Sequence, residues 1–472
     1  MKHRPRPLEQ DDLLRPRLVD MIDRRHASVK LAASVDWDVF EREWAGFFPS
    51  FKGRPATPPR LAAGLLCQQH ACQLSDKAVV ARRVENPYDQ RRTGETFFRH
   101  RPPIDPSSRT RSRGRIAAEG VEWLLTRTIR AGHKSGAIDG DSVRRVAVDT
   151  TVMEKTIAQP TDARLYGRAR SAGGAGAGGR GWSCGNPARA LPPRAGPGLA
   201  PDWPLTGPGL ALQVGPGLAL QVGRYAHARQ FKRMRKALKK PKGHTGRVMR
   251  DLRRHVQDIP KASLRDRITG TLALVSQLLH QAPKGAGKIY ALHEPEVDCI
   301  SRGKARVRCA FGCKVSIATA LDEGFVVGMR GFPGNPYDGR TLKEALEQVA
   351  ILTGQRPDPA VVDRGFRGHG EDKTRVPISG TRRGLTPKLI ADLRRRSANE
   401  PGIGHMKTDG RLAGCRSKGT VGDALSPVLC ACGHTIRKIL AHLRAWLARI
   451  FAAFLAAKTK PEQRCQVFTA AS

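Results

Sequence analysis

"RRVAVDTTVMEK", residues 144–155, sets one aspartate, Asp149, at the centre of an apolar, β-branched run. Val146, Val148, Thr150 and Val152 favour a strand, because branched side chains pack well on a pleated surface. An aspartate is the residue such a strand least accommodates. Either it is a solvated strand-end carboxylate, or it holds a cation where a rigid strand positions a ligand well. Further strands read at "KIYALHEPEV" (288–297), "KARVRCAFGCKVSIATAL" (304–321), "GFVVGMRGF" (324–332) and "PAVVDRG" (359–365), with "LDEG" (321–324) supplying a hairpin turn. Helical periods follow at "DGRTLKEALEQVAIL" (338–352), "TPKLIADLRRRS" (386–397) and from about Ser426 onward. Hairpin strands, then strand–helix alternation, predict an α/β fold with a mixed sheet covered by helices.

The chain before about residue 135 reads as a small helical domain. "TPPRLAAGLLCQQHACQ" (57–73) opens with Thr57 as N-cap and Pro58 at the first helical position. "LSDKAVVARRVENP" (74–87) has Ser75 as a second cap and Pro87 as a stop, and "RIAAEGVEWLLTRTIRAG" (115–132) supplies a third helix. Two short helices around a tight connection suit a helix-turn-helix that docks on DNA; an ordinary helical hairpin fits the same pattern. Residues 167–223 are dominated by glycine and proline, with "GPGLALQV" in tandem at 207–214 and 215–222. Such composition buries too little apolar surface to offset its ordering entropy, so this segment reads as a disordered linker or a frameshifted stretch. Residues 224–285 return to a basic, helical period whose charge suits phosphate contacts or a solvated arm. Residues 459–472 form a tail.

The 472 residues carry 83 lysines and arginines against 42 acids, a formal charge of +41 spread along the chain. A polyanionic partner is the simplest reason to tolerate that self-repulsion, and nucleic acid is the usual one. No stretch approaches the roughly 20 apolar residues of a membrane span, and the N-terminus lacks the apolar region of a secretory signal. Ten scattered cysteines do not form a disulfide framework, which points to a reducing, cytoplasmic setting. "CACGH" (430–434) on a helix start leaves a zinc site open, without the paired CxxC of a zinc ribbon.

Two more acids join Asp149. Asp363 ends the "PAVVDRG" strand before a glycine turn, and Glu400 sits in "RRRSANEPGIGHMK" (394–407). Pro401 disfavours a helical conformation for the residue before it, which sets Glu400 at a helix start or kink, where it could also pair with Arg396. Breaking a phosphodiester needs an activated water and a stabilised leaving oxygen, which two Mg²⁺ ions provide together. Mg²⁺ takes hard oxygen ligands, usually one or two carboxylates plus phosphates and waters.

In this order and with these flanks, the chain resembles the DDE transposases of bacterial insertion sequences, specifically insertion sequence family 5. "VDTTVMEKTIAQPTDARL", "VVDRGFRG" and "RRSANEPGIGHMKTDGRL" are similar to that group's three acidic motifs, and "FPGNPYDGRTL", "GKARVRCAFGCKVSIAT", "RYAHARQFKRM" and "LSDKAVVARRVENPYDQ" extend the similarity. The resemblance implies a ribonuclease-H-like catalytic domain over 142–166 and 286–458, interrupted by a long insertion. It implies Asp149, Asp363 and Glu400 as catalytic metal ligands for two Mg²⁺ ions, Mn²⁺ being able to substitute, with Arg396 and Lys407 on DNA phosphates. It further implies cleavage at transposon ends, strand transfer into target DNA, and a homodimer when two ends are paired in the bacterial nucleoid. Leu393 stands where relatives carry a tyrosine, Arg340 where histidine is common, and the Gly/Pro segment where they carry basic helix. A degenerate copy that only binds DNA, or a ribonuclease-H-like nuclease that hydrolyses without joining, are the alternatives.

Overall fold

In the computed structural model, residues 14–47, 57–177, 215–282, 285–301, 309–381, 384 and 386–458 are described. The chain divides into two compact units: Met1–Met153, Lys314–Phe332 and Pro336–Ser472 form the first, Glu154–Cys313 and Pro333–Asn335 the second.

The first unit begins with helices α1 (Leu18–Met21), α2 (Ala27–Ser34), α3 (Trp37–Trp44), α4 (Pro59–Ala71), α5 (Asp76–Glu85), α6 (Pro87–Arg92) and α7 (Ser107–Lys134). Ser75 caps α5 by accepting from the Ala78 amide. Helix α4 starts one residue later than expected: Pro58 is its N-cap and the second proline, Pro59, takes the first helical position, leaving Thr57 outside. Pro87 ends one helix and opens the next, because its fixed φ suits a first turn. Polar side chains tie these helices together inside the domain. Arg83, wholly buried, donates to Glu95 at 2.6 Å and to Thr93 at 2.7 Å, while Asp76 accepts from Arg109 and Arg113.

Strand β1 (Val146–Glu154) follows. The second unit then contains α8 (Asp162–Ala177), α9 (Gly215–His227), α10 (Phe231–His255), α11 (Ala262–His280) and β2 (Asp298–Ser301). Thus both ends of the Gly/Pro-rich stretch 167–223 are helical, and the second "GPGLALQV" lies within α9; residues 178–214 lie outside the described residues. Tyr166, Met249, Leu252, Ile268, Leu272 and Val275 build one core between α8, α10 and α11. The expected strand at 288–297 does not form. Ile289 and Ala291 alternate inward, but the Ile289 amide is taken by the Gln281 side chain and the Val297 amide by the Glu294 carbonyl. Pro295 has no amide to offer a ladder.

Strand β3 (Cys309–Ala320) pairs antiparallel with β2 through Cys309–Gly312 and with β4 (Val326–Phe332) through Lys314–Thr319. Helix α12 (Asp338–Thr353), β5 (Ala360–Val361), α13 (Pro387–Arg395), α14 (Asn399–Thr408) and α15 (Gly419–Lys458) complete the first unit. The mixed sheet has the order β2-β3-β1-β5, with β4 on β3, and β5 runs parallel to β1. Helix α15 packs against α4, α7 and β4, so the N-terminal helices and the sheet share one unit rather than parting at residue 135. "CACGH" lies inside α15 and not at its start: Cys430 and Cys432 are buried and their thiols are pushed up by burial, Cys430 to about 12. Gly433 lets α15 touch α4, since a Cβ there would sit 2.6 Å from the His70 carbonyl carbon. These residues pack a helix crossing.

Replacing Arg83 by Met removes the 2.6 Å partner of the buried Glu95 carboxylate and leaves it the more distant Arg99 at 3.7 Å; breaking a buried pair costs about 3–5 kcal/mol. Urea denaturation of Arg83→Met is expected to show a loss approaching that size; a loss below about 1 kcal/mol would mean that Arg99 or water takes the place of Arg83.

Candidate active site

The β1–β5 ladder sets the site. Val146 is paired with Ala360 and Ala147 with Val361, where β5 ends. Carried two residues beyond the strand, the same register would bring Asp149 level with Asp363, and the Asp363 charge does act on the Asp149 carboxyl. Asp363 is in extended conformation directly after β5 and caps the short turn Arg364–Phe366, its Oδ1 accepting from the Gly365 amide at 2.9 Å.

Glu400 arrives on another element. It lies in the first turn of α14, the helix start expected from Pro401. Three polar contacts hold α13 and α14 to the sheet. Arg145, just before β1, donates to Asp392 of α13 at 2.7 Å; Arg395 donates to the carbonyls of Leu321 and Asp322 at the end of β3; and Thr319 of β3 donates to Asn399 at 3.0 Å. Arg396, in the turn between the helices, reaches Asp149, with Nη1 3.5 Å from Oδ2. Lys407 is in the last turn of α14. Seven residues make nearly two helical turns, which places it on the same face as Glu400.

Asp149 records how crowded this spot is. Burial raises its carboxyl to about 6, and the charges of Asp363 and Glu400 add to the rise. The Thr150 amide and the Arg396 guanidinium pull against it. Thus Asp149, Asp363, Glu400 and Arg396 share one electrostatic neighbourhood. As the side chains stand, no three His, Cys, Asp or Glu residues among those described converge tightly enough to hold a metal ion. The donor set nevertheless fits a hard divalent cation, which needs only one or two carboxylates when phosphate oxygens and waters fill the remaining positions.

Sequence reasoning missed a fourth acid. Asp338 opens α12, and its Oδ1 accepts from Thr150, the neighbour of Asp149, at 2.9 Å and from Lys314 of β3 at 2.8 Å. Its other oxygen and Asp363 both adjoin Gly365: a Cβ there would lie 3.0 Å from Asp363 Oδ1 and 3.1 Å from Asp338 Oδ2. Glycine at 365 therefore gives both carboxylates the space they occupy. The signal was present in "NPYDGR", an aspartate at a helix start after a proline, but such residues usually serve as caps or first-turn acids. Only the fold brings Asp338 to Thr150, 188 positions away.

A carboxyl raised in the fold binds its proton more tightly there than in the unfolded chain. Its contribution therefore favours folding as pH falls through 6 toward 3.8 and disfavours it above 6. Asp149→Asn is expected to stabilise the protein without divalent cation by roughly 1–3 kcal/mol at pH 7.5. Thermal melts should show that advantage shrinking between pH 7 and pH 5. An advantage independent of pH would show that the burial and crowding of an ionised Asp149 are not its source.

A family model described as "Transposase domain (DUF772)" matches residues 16–115, the span of the N-terminal helices. The chain is 45% identical over 157 residues to "Uncharacterized protein ORF8 in nfe locus" of Rhizobium meliloti, a stretch that covers 33% of this chain and 75% of that protein. No solved structure matches. No helix among the described residues is long and apolar enough to cross a membrane. The domain match, and a relative aligned over three quarters of its own length, show that this chain belongs to the bacterial transposases.

Proposed function

We propose that this transposase is a DDE enzyme of the insertion sequence family 5 type, which binds transposon ends, cuts them and joins the freed 3′-hydroxyl to target DNA. The observation that supports the reading is the electrostatic coupling of the three acids, the Asp363 and Glu400 charges both acting on the Asp149 carboxyl, together with a β1–β5 register that points Asp149 toward Asp363 when carried past the end of β5. The strand order supports a ribonuclease-H-like fold: a β3–β4 hairpin lies on one side of β1 and the parallel β5 on the other.

Asp149, Asp363 and Glu400 would hold Mg²⁺, two ions by the family resemblance, with Mn²⁺ able to substitute. The bound ions supply an activated water and stabilise the leaving oxygen. The protein's own groups position and neutralise. Arg396 offers a planar guanidinium that binds phosphate in bidentate fashion, and it can pass from Asp149 to a DNA phosphate as the scissile strand enters. Lys407, on the same helical face as Glu400, supports a neighbouring phosphate. Asp338, fixed by Lys314 and Thr150, holds the Asp149 strand against the Asp363 turn. The N-terminal helices α4 and α5 grip the ends, and two ends are held by a homodimer.

Asp363→Ala is expected to abolish Mg²⁺-dependent nicking of end-bearing duplex while leaving end binding intact; equal nicking by both proteins would eliminate the site. Pre-nicked ends supplied with a target plasmid separate a transposase from a hydrolase, which gives no joined product. Tight end binding by wild type without nicking would identify a copy that only binds DNA. Asp338→Ala is expected to lower nicking about 10–100-fold and to raise the Mg²⁺ concentration for half-maximal activity, as loss of a residue supporting ligands does. An unchanged Mg²⁺ requirement would reduce Asp338 to a fold-stabilising role.

A further inference from the structure

Helix α10 is divided lengthwise into two halves of opposite character. Its inward stripe runs through Leu238, Pro241, Thr245, Met249 and Leu252, at the spacing of one face of a 3.6-residue period. This stripe packs on the core built with α8 and α11, and Thr245 donates to the Tyr166 carbonyl at 3.1 Å. The other half carries eleven lysines and arginines against a single acid, Asp251, and all eleven cations are exposed. Among the described residues only Arg254 of the eleven has a carboxylate partner, Asp251 at 3.5 Å. Arg235, Lys239, Lys242, Arg250 and Arg253 lie along one flank of this surface, within about 80° of one another at 3.6 residues per turn.

A folded unit gains nothing by concentrating like charges in this way, since each raises the cost of the others. The arrangement needs an anion that extends along the helix. At 1.5 Å per residue the 25 residues span roughly 37 Å, about one turn of duplex DNA, near 34 Å. A basic amphipathic helix can also serve a membrane surface, but that use requires a free apolar face. Here the apolar stripe is already covered by α8 and α11, so only the charged face is on offer. Nothing but lysine and arginine dominates that face, which suits phosphates rather than base edges.

We infer that the exposed face of α10 is a second DNA contact, in the inserted unit, which binds the duplex phosphate backbone without regard to sequence. The inference rests on the reading of this chain as DNA-acting but not on its carboxylates, and it predicts binding that needs no divalent cation. The test uses the full chain, a fluorescent duplex lacking transposon-end sequence, EDTA throughout, and a salt titration of wild type, Asp363→Ala and the triple variant Arg235→Gln/Lys239→Gln/Arg253→Gln. Circular dichroism verifies that the triple variant retains its helices. Wild type and Asp363→Ala are expected to bind alike. The triple variant should bind at least tenfold more weakly at low salt, with the slope of log K against log salt shallower by about 2–3, near 0.9 for each lost phosphate contact. Unchanged affinity and slope would overturn the inference. So would loss of binding to phosphatidylserine vesicles with duplex binding intact. Loss of duplex binding in the triple variant, alongside a wild type that never nicks, would uphold this surface and reject the catalytic reading instead.

Discussion

The parallel pairing of β1 with β5 is the constraint from which the site follows. Asp149 and Asp363 are 214 positions apart, and the same offset relates Val146 to Ala360 and Ala147 to Val361. A slip of one residue would turn one carboxylate to the opposite face of the sheet, because side chains alternate with period two. The register is protected by burial: Val146, Ala147, Val148, Val361 and Val362 are all within the core. An apolar ladder thus fixes the geometry of a polar site. This explains why the aspartate in the opening stretch is flanked by β-branched residues rather than by a polar loop.

Carboxylates brought together repel, and the fold supplies limited compensation. Arg396 faces Asp149 at 3.5 Å, longer than a strong charge-assisted hydrogen bond. Lys314, by contrast, is close to Asp338 at 2.8 Å and also donates to the Pro336 carbonyl at 2.7 Å. The two cations are therefore unequally committed. Lys314 is pinned on two sides and acts as a fixed part of the scaffold. Among the described residues, the carboxylate contact of Arg396 is the long one to Asp149. Burial is the main cause that raises the Asp149 carboxyl to about 6, the Asp363 and Glu400 charges add to it, and the Arg396 guanidinium offsets only part of the rise.

How much of this was legible in the chain depended on distance along it. Local chemistry was readable: Ser75 caps α5, and Pro401 sets Glu400 in a first turn. The β1, β3 and β4 stretches were readable too, since branched residues and the "LDEG" turn act over a few positions. Alternation misled at 288–297, where Ile289 and Ala291 point inward without a ladder to join. Composition misled at α9, where Leu218 to Val222 continue into "RYAH" and the helix draws on packing that two glycines and a proline at its start do not reveal. Asp338 was invisible because its meaning lies in Thr150, Lys314 and Gly365, residues that only the finished sheet assembles.

The departures from the family pattern can be weighed on the same physical grounds. Leu393, where relatives carry a tyrosine, packs against Ala147, Leu321 and Val361 beneath the β1–β5 pair. An aliphatic side chain there keeps apolar support under the ladder and gives up the aromatic ring with its hydroxyl. Arg340, where histidine is common, is exposed in the first turn of α12, two residues after Asp338. Neither substitution disturbs the register, the Gly365 clearance or the Thr319–Asn399 tie that holds Glu400 to the sheet.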